Sequence, residues 1–427
     1  MPPTSSDVPA ASNAPQLWRH PDFRRLWLGQ TASQLGEHAT LVVLPLFAVL
    51  TLDVGADQLG VLRAVGQAPV LLLSLLVGAW VDRWRTRTVM VWADAGRALV
   101  LGAATVLALC GGLGLPALLV AAFAVGALSV FFDVAYQSSL VRLVRRDQLV
   151  RGNSALEGSR SAAQIGGPAL GGALVSQLSV PVAAVSSALF FVLSFLSIRC
   201  IRRGEPVQER SARPARTGWR IVEGLRFVAA GPLRAVCLAS AAFQFFFAAM
   251  MTVYLLFLPR ELHVTGAVVG LVLAATGPGA LLGSVLAARL PGRFGHGPVL
   301  VTAAALGDGV LLCVPALHGS SALTLAALLA VNLVFGTFGQ LVNVTVTAVR
   351  QALTPAGTQG RAAATITFVG MGMAPLGSLL GGFLAQEWGL RTALLVTAAG
   401  MLLSPVLMAA SPLARLGPVL ESPAQSA

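Results

Sequence analysis

The sequence contains no lysine, since all 29 of its basic residues are arginine, and it has only 17 acidic residues in 427. Without lysine, the nucleotide-binding loop GxxxxGK[ST] cannot occur. This excludes a protein driven by nucleotide hydrolysis at such a loop. Charged residues make up 11% of the chain, whereas an ordinary soluble domain has about 25%. With 56% hydrophobic residues and a mean hydropathy of +0.79, the chain is too apolar for a water-soluble globular protein.

Cysteine is equally scarce, and its pattern excludes several kinds of site. The four cysteines lie singly in or beside apolar stretches, without CxxC spacing and without nearby histidine ligands, so we expect no metal site and no cofactor. No nucleophile and base occur in a recognisable catalytic arrangement, so we expect no enzymatic activity. The cysteines are interpreted as packing residues: Cys110, Cys200, Cys237 and Cys313.

Long apolar stretches dominate what is present. A membrane-spanning helix needs about 20 apolar residues, and stretches of that length occur twelve times in two sets of six. The first set lies at 26–51, 59–81, 88–110, 115–140, 155–178 and 181–201, and the second at 233–258, 267–290, 297–317, 321–349, 362–386 and 391–411. The sequence therefore predicts an all-α membrane protein with 12 transmembrane helices in two six-helix bundles.

The arginines test this count, because arginine-rich loops stay in the cytoplasm. Twenty-four arginines fall on one side of the predicted spans, while only Arg63, Arg260 and Arg391 fall on the other. This asymmetry predicts that both termini are cytoplasmic. The net charge of +12 is spread beside apolar spans, so we expect contact with anionic lipid headgroups and not with nucleic acid.

The predicted spans divide the chain into five segments. A polar, proline-rich stretch separates the two sets, and within it Trp219, Val222, Leu225 and Val228 recur at spacing three, which indicates an interfacial helix. We expect a disordered N-tail at 1–16, an N-terminal bundle at 17–201, a cytoplasmic linker at 202–232, a C-terminal bundle at 233–411 and a C-tail at 412–427.

The two halves also repeat at a fixed offset. When the sequence is shifted by 210 residues, Gly60 meets Gly270, Asp133 meets Asn343, and Gly171-Gly172 meets Gly381-Gly382. An offset that holds for helices and loops alike predicts two structurally equivalent bundles.

The loop after the second span reads Gly78-Ala-Trp-Val-Asp82-Arg83-Trp-Arg85-Thr-Arg87. Here the chain resembles the major facilitator superfamily, whose loop signature GxLaDrxGrk it matches at Gly78, Asp82, Arg83 and Arg87, with Arg85 where a second glycine is usual. The resemblance implies a cytoplasmic latch, in which the Asp82 carboxylate meets the positive N-terminus of the eleventh span. We expect Asp94 and Arg97, at i and i+3 of the third span, to form an ion pair near this latch.

The fifth span carries Gly167-Pro168-Ala-Leu-Gly171-Gly172. This segment resembles the GPxxGG signature of the superfamily's exporters, which its importers usually lack. Further segments, Phe23 to Gln30 and Phe132-Asp133 among them, look like the macrolide-efflux and enterobactin-exporter branch.

The resemblance implies a secondary transporter of the cell membrane that works by alternating access. The function expected from it is proton-driven export of an amphipathic drug, antibiotic or siderophore by a monomeric protein. Two alternatives stay open at this point: a proton-coupled importer of a small metabolite, and a membrane sensor that no longer transports.

Ionisable residues inside the spans are the candidates for proton coupling, because each costs roughly 3 kcal/mol to insert. Glu37 shares a helical face with Gln30 and Gln34 in the first span, and Asp133 lies in the fourth span. In this fold both spans line the central cavity, so Glu37 and Asp133 are predicted to carry protons, and His38 could share that role. The arginine that begins the superfamily's fourth-span signature is absent from Val125 to Phe131.

Substrate contacts are expected from polar, aromatic and methionine side chains on the cavity-lining spans, since such a mixture suits an amphipathic molecule. The candidates are Gln30, Gln34, Gln137, Gln244, Phe247, Met251, Asn332, Gln340, Asn343 and Phe368.

Overall fold

The computed structural model describes residues 18–81, 84–143, 148–177, 180–202, 233–354 and 359–418. Within these ranges the secondary structure is helical, with short turns between helices and no strand. Ten of the helices found there are long and apolar enough to cross a membrane. The outer surface carries many exposed leucines and valines, as a lipid environment requires.

The N-terminal half forms six helices. They are α1 (Pro21–Thr51), α2 (Ala56–Val81), α3 (Thr86–Leu109), α4 (Leu115–Leu143), α5 (Leu149–Gln177) and α6 (Val180–Arg199). With 26 and 29 residues, α2 and α5 are also long enough to span a bilayer, although polar and glycine residues make α5 the least apolar of the six.

The C-terminal half repeats this plan. Its helices are α7 (Leu233–Glu261), α8 (Gly266–Ala287), α9 (His296–Ala316), α10 (Ala322–Leu353), α11 (Gln359–Trp388) and α12 (Leu390–Ala409). Within these spans, α8 is interrupted at Ala275, α12 is interrupted at Leu402, and α9 tightens into a 3₁₀ turn over Val310–Ala316. Apart from a short helix at Leu290–Phe294 and a 3₁₀ turn at Pro412–Arg415, the described residues form these twelve helices, which match the twelve predicted spans.

The helices pack in the same pattern in both halves. In the N-terminal half α1 packs against α5 and α6, α2 against α4, and α3 against α4 and α6. In the C-terminal half α7 packs against α11 and α12, α8 against α10, and α9 against α10 and α12. Asp53 and His263, which are 210 residues apart, both adopt positive φ values, 45° and 54°. The repeat in the sequence is therefore a repeat of structure.

Two helix pairs join the halves, α5 with α8 and α2 with α11. Each pair approaches closely because glycines meet glycines. A Cβ on Gly172 would lie 2.5 Å from the Gly270 Cα, and one on Gly382 would lie 2.9 Å from the Gly60 Cα. These two contacts are equivalent under the 210-residue shift.

The halves meet at one end of the molecule and separate at the other. Arg25, Arg87 and Arg199 lie where α1 and α3 begin and α6 ends, and we call this the arginine-rich end. At the opposite, arginine-poor end, Arg260 of α7 donates hydrogen bonds of 2.8 Å to the Asp53 carboxylate and the Val54 carbonyl. The glycine contacts lie at this closed end.

The face of α5 that meets α8 shows that the arginine-rich end is open. Gly172 and Ile165 on this face pack tightly against α8, because Ile165 reaches within 2.0 Å of where a Cβ on Gly277 would be. Further toward the arginine-rich end, Ser161, Gly158 and Ser154 on this face are exposed. A cleft between the bundles therefore opens at the arginine-rich end.

The predicted N-tail and all but the first residue of the linker, with its interfacial helix, lie outside the described residues. The first part of the predicted C-tail packs beside the start of α9. There His296 N donates to the Gly417 carbonyl at 3.1 Å, and Gly297 N donates to the Leu416 carbonyl at 2.9 Å.

Candidate functional site

A buried ion pair lies inside the N-terminal bundle. Asp94 and Arg97 project from the same face of α3 and are both fully buried. The Asp94 carboxylate bonds to the Arg97 guanidinium and accepts hydrogen bonds from Ser33 of α1, at 3.1 Å, and from Ser194 of α6. Two charges can be buried in this way because they pair with each other and with neighbouring hydroxyl groups, although Arg97 Nε has no hydrogen-bond partner among the described residues.

Arg97 extends this pair toward the cleft. Its guanidinium donates to Ser33 Oγ at 2.8 Å and to Ser129 Oγ at 3.2 Å, and it lies over the rings of Phe132 and Phe191. Its Nη1 is also 3.6 Å from Glu37 Oε2. Arg97 therefore links the Asp94 carboxylate to that of Glu37.

Glu37 and Asp133 are the carboxylates nearest the cleft. The Glu37 side chain is 24% exposed, yet its Oε2 is buried and has no hydrogen-bond partner among the residues described. Asp133 of α4 is partly buried and accepts a hydrogen bond from Gln34, one turn before Glu37. Arg160 of α5 is a neighbouring charge of both carboxylates. The structure thus brings together the two acids that the sequence selected.

Gln30 and His38 occupy the ends of the same face of α1. Gln30 is buried, accepts a 3.3 Å hydrogen bond from Ser159, and leaves its Nε2 without a partner in the described structure. His38 packs against α5, because a Cβ on Gly167 would lie 2.4 Å from the His38 Cβ.

The glycines of the fifth-span motif hold α5 between two helices. Gly167 and Gly171 face α1 at His38 and Ala39, while Gly172 and the Pro168 carbonyl face α8. A side chain at any of the three glycines would push backbones apart. The motif therefore joins the α1 surface that carries Glu37 to the contact between the halves.

In the C-terminal bundle, the position equivalent to Glu37 under the 210-residue shift holds an aromatic side chain. Phe247 of α7 stacks on Phe243 at 5.4 Å and on Phe335 of α10 at 5.8 Å between ring centroids. Met251, one turn further along α7, is half-buried against the same core.

The other predicted substrate contacts have different surroundings. Asn332 is buried and donates to the Tyr254 hydroxyl at 2.9 Å, which ties α10 to α7 inside the bundle. Gln244 lies near Gly370 of α11, and Gln340 lies near Gly283 of α8. Asn343 is exposed and Phe368 is half-buried, whereas the side chain of Gln137 lies outside the described part.

The predicted latch is only partly visible. Asp82 and Arg83 are not among the described residues. Gly78 lies within α2, before the loop begins. Arg87 donates to the Arg199 carbonyl at 2.5 Å, which ties α3 to the end of α6. Asp94 and Arg97 form the expected ion pair, but in the bundle interior and turned toward Glu37.

Sequence reasoning missed one group of residues. Arg63 was counted with the loops, but it lies inside α2, two turns from the start of that helix. Gln67 follows it at i+4, a spacing that could have indicated a shared polar face.

Comparison with known proteins decides the family. Residues 10–425 match the family described as Transmembrane secretion effector, one of the major facilitator families. The chain belongs to this family. It is therefore a multi-pass transporter of the cell membrane, as its apolar spans predicted.

Two relatives indicate the breadth of the match. The Multidrug efflux pump Tap of Mycolicibacterium fortuitum is 29% identical over 379 residues, which cover 86% of this transporter and 90% of Tap. An uncharacterized MFS-type transporter of Mycobacterium tuberculosis is 31% identical over 296 residues, which cover 62% of this chain and 64% of that relative, less than two thirds of its length.

Solved structures agree on the fold. A bacterial homologue of the iron transporter ferroportin in an inward-facing state has a TM-score of 0.72 and 19% identity, covering 91% of this chain and 97% of its own. The nucleoside transporter NupG has a TM-score of 0.74 and 12% identity, covering 91% and 98%. At such identities the likeness concerns the major facilitator fold alone.

Proposed function

We propose that this transporter exports an amphipathic small molecule in exchange for protons. The observation that supports this most strongly is the position of Glu37. Its carboxylate borders the cleft, has an oxygen without a hydrogen bond among the described residues, and lies 3.6 Å from a buried guanidinium. A carboxylate in this position can exchange a proton with solution when the cleft opens. Protonation and ionisation then weaken or restore its attraction to the charged neighbour.

Glu37 and Asp133 bind the proton and release it as the cleft opens first to one side of the membrane and then to the other. When the cleft opens to the outside, a proton from solution binds a carboxylate oxygen and reduces the attraction of that carboxylate to Arg97 and Arg160. When the cleft opens to the cytoplasm, the proton leaves and the ion pairing is restored. Asp94 stays bound to Arg97 in both states, which keeps the guanidinium in place.

The conformation fits the cytoplasmic half of this cycle. We infer that the arginine-rich end is cytoplasmic, because arginine-rich loops are retained there. The cleft of the present structure then opens inward, while the Arg260 to Asp53 pair and the glycine contacts close the outside. In the reverse state Asp82 would complete a cytoplasmic latch with the start of α11.

The C-terminal bundle supplies the surface for the substrate. Phe243, Phe247 and Phe335 form a stacked aromatic group, with Met251 beside Phe247. Aromatic and thioether groups bind apolar rings of varied shape, and the amides of Gln244 and Gln340 offer hydrogen bonds. Export in place of uptake is supported by the glycine motif of α5 and by the similarity to Tap.

The proposal is tested by the accumulation of fluorescent dyes and labelled antibiotics in an efflux-deficient bacterial host. The unaltered transporter is expected to lower the accumulation of at least one compound, and an uncoupler or Glu37→Gln is expected to restore it. Glu387→Gln is the matched control, because Glu387 is exposed at the end of α11. Accumulation that rises when the transporter is present would show uptake, and export that survives both the uncoupler and Glu37→Gln would contradict proton coupling.

A further inference from the structure

The two contacts between the halves are equivalent in their glycines but not in the residues beside them. In the α5–α8 contact, the neighbours of the glycines are Pro168, Leu273 and Gly277. In the α2–α11 contact, the equivalent positions are Ser378, Arg63 and Gln67. An apolar set in one contact is thus replaced by three polar residues in the other, one of them a cation.

The helical geometry of α2 directs Arg63 toward the cleft. Val61, Leu72 and Leu76 are exposed and mark the lipid side of α2. Gly66 packs against α4 and Gly60 packs against α11. At 100° per residue, Arg63 projects between the α4 and α11 sides, opposite the lipid side, at the closed end of the cleft.

One side-chain polar atom of each of these three residues is buried and lacks a partner among the described residues. Arg63 Nε, Gln67 Oε1 and Ser378 Oγ each have no hydrogen-bond partner within the described structure. No ion pair to Arg63 occurs among the described residues either, in contrast to Arg97, Arg260 and Arg391. A partly buried guanidinium without an anion is unfavourable, so the group is suited to receive one.

We propose that Arg63, Gln67 and Ser378 bind the acidic group of the transported molecule. The guanidinium accepts a carboxylate through two parallel hydrogen bonds, and the Ser378 hydroxyl and the Gln67 amide nitrogen supply further donors. The apolar body of the same molecule lies against the aromatic group around Phe247. The substrate class is therefore an aromatic carboxylate or a zwitterion, and this deepens the export function on which it rests.

The test is direct binding to the purified transporter in neutral detergent, measured by titration calorimetry with 2-naphthoate and with 2-naphthamide. The two probes share an apolar body and differ in charge. A charge-assisted hydrogen bond contributes about 1.5–3 kcal/mol, so the acid is expected to bind about tenfold more tightly or better. Arg63→Gln is expected to abolish this preference, and Arg63→Lys to retain part of it.

Controls separate the site from general effects. Arg234→Gln removes an exposed arginine at the start of α7 and is expected to leave the preference intact. Unchanged binding of 2-naphthamide by Arg63→Gln shows that this variant is folded. A preference for the acid that persists in Arg63→Gln, or no preference in the unaltered protein, overturns the proposal.

Competition identifies the source of the anion. Sodium chloride or phosphate at millimolar concentration is expected to displace 2-naphthoate only weakly, because neither contacts the aromatic group. Displacement at concentrations equal to those of 2-naphthoate would assign the site to a free inorganic anion and would also overturn the proposal. The assay needs neither a proton gradient nor a transport direction, so failure of proton-driven export would leave its outcome unaffected.

Discussion

The N-terminal and C-terminal bundles pack their helices alike but differ in what they bury. The glycine contacts of Gly172 and Gly382 are equivalent, and so are the turns at Asp53 and His263. The interiors are not equivalent, because the five N-terminal charges correspond to uncharged residues 210 positions later. Glu37, Asp94, Arg97, Asp133 and Arg160 correspond to Phe247, Ala304, Gly307, Asn343 and Gly370.

One scaffold thus carries buried charges in one bundle and an aromatic group in the other. These five charges of the first bundle stabilise one another across α1, α3, α4 and α5. This mutual stabilisation lowers the free-energy cost of burying each charge at lipid depth. At the position equivalent to Glu37 the second bundle has Phe247, which stacks on Phe243 and Phe335, and at the other four positions it has small or amide residues. One carboxyl group, that of Asp308 in α9, is nevertheless buried in the second bundle.

The largest expected effect comes from breaking the buried pair of the first bundle. Asp94→Asn leaves the Arg97 charge without its main partner in a fully buried position. Removing one partner of a buried ion pair costs about 3–5 kcal/mol, so the thermal unfolding temperature of the purified protein should fall sharply.

The matched control is the double variant Asp94→Asn with Arg97→Gln, which removes both charges. It should recover a good part of the lost stability. A single variant as stable as the unaltered protein would mean that the pair contributes nothing to the fold of this bundle.

The next effect concerns the contact that the bundles share. Gly172→Val and Gly382→Val add a side chain at positions where even a Cβ would lie within 3 Å of backbone atoms of the facing helix. Both variants should therefore hold the two halves apart at the arginine-poor end. Overpacking costs about 1–3 kcal/mol, enough to change the ratio of closed to open states about tenfold. Spin labels at positions 58 and 386, across α2 and α11, would report longer distances by pulsed EPR.

Two glycines elsewhere provide the controls for these variants. Gly102 and Gly339 have open space where a Cβ would be, so Gly102→Val and Gly339→Val should leave the distance distribution unchanged. If Gly172→Val alone opened the contact and Gly382→Val did not, the two contacts would not be mechanically equivalent.

A moderate effect is expected in the aromatic group of the second bundle. Phe247→Ala removes a ring that stacks on two others, and aromatic pairs contribute about 0.5–1.5 kcal/mol beyond their buried area. The KM for an exported substrate should rise several-fold with little change in the dependence of transport on the proton gradient. Phe123→Ala, an exposed ring on α4, should leave the KM unaltered.

The smallest effect is expected at the ion pair that crosses the closed end. Asp53 is 92% exposed in its pair with Arg260, and exposed pairs contribute about 0–1 kcal/mol. Asp53→Asn should therefore shift the EPR distances across this end only slightly, and less at high salt, where the unaltered pair is screened as well. A shift as large as that of Gly172→Val would show that the pair, and not the glycines, holds the end closed.

Local patterns in the sequence were sufficient to predict the twelve helices. Length and apolarity determine whether a segment can span a bilayer, and the offset between Gly60 and Gly270 correctly predicted equivalent surroundings. Glu37 and Asp133 could be selected from the sequence as proton-coupling candidates because acids at lipid depth are rare, and their role stays a prediction.

Contacts between distant segments could not be predicted in this way. The i, i+3 spacing paired Asp94 with Arg97, but only the packing of α3 against α1 brings that arginine to Glu37. Arg63 was assigned to the arginine-poor loops because counting charges ignores how far a helix extends. Which face of α2 meets α11 depends on the fold of both halves, and no local pattern contains it.

We attribute proton coupling to Glu37 and Asp133 of the first bundle, and contact with the apolar body of the substrate to the aromatic group of the second. The most direct test compares substrate exchange without a gradient and transport driven by a pH gradient, in proteoliposomes containing Glu37→Gln. We expect exchange to persist while gradient-driven transport is lost. Gradient-driven transport that continues at the unaltered rate would contradict it.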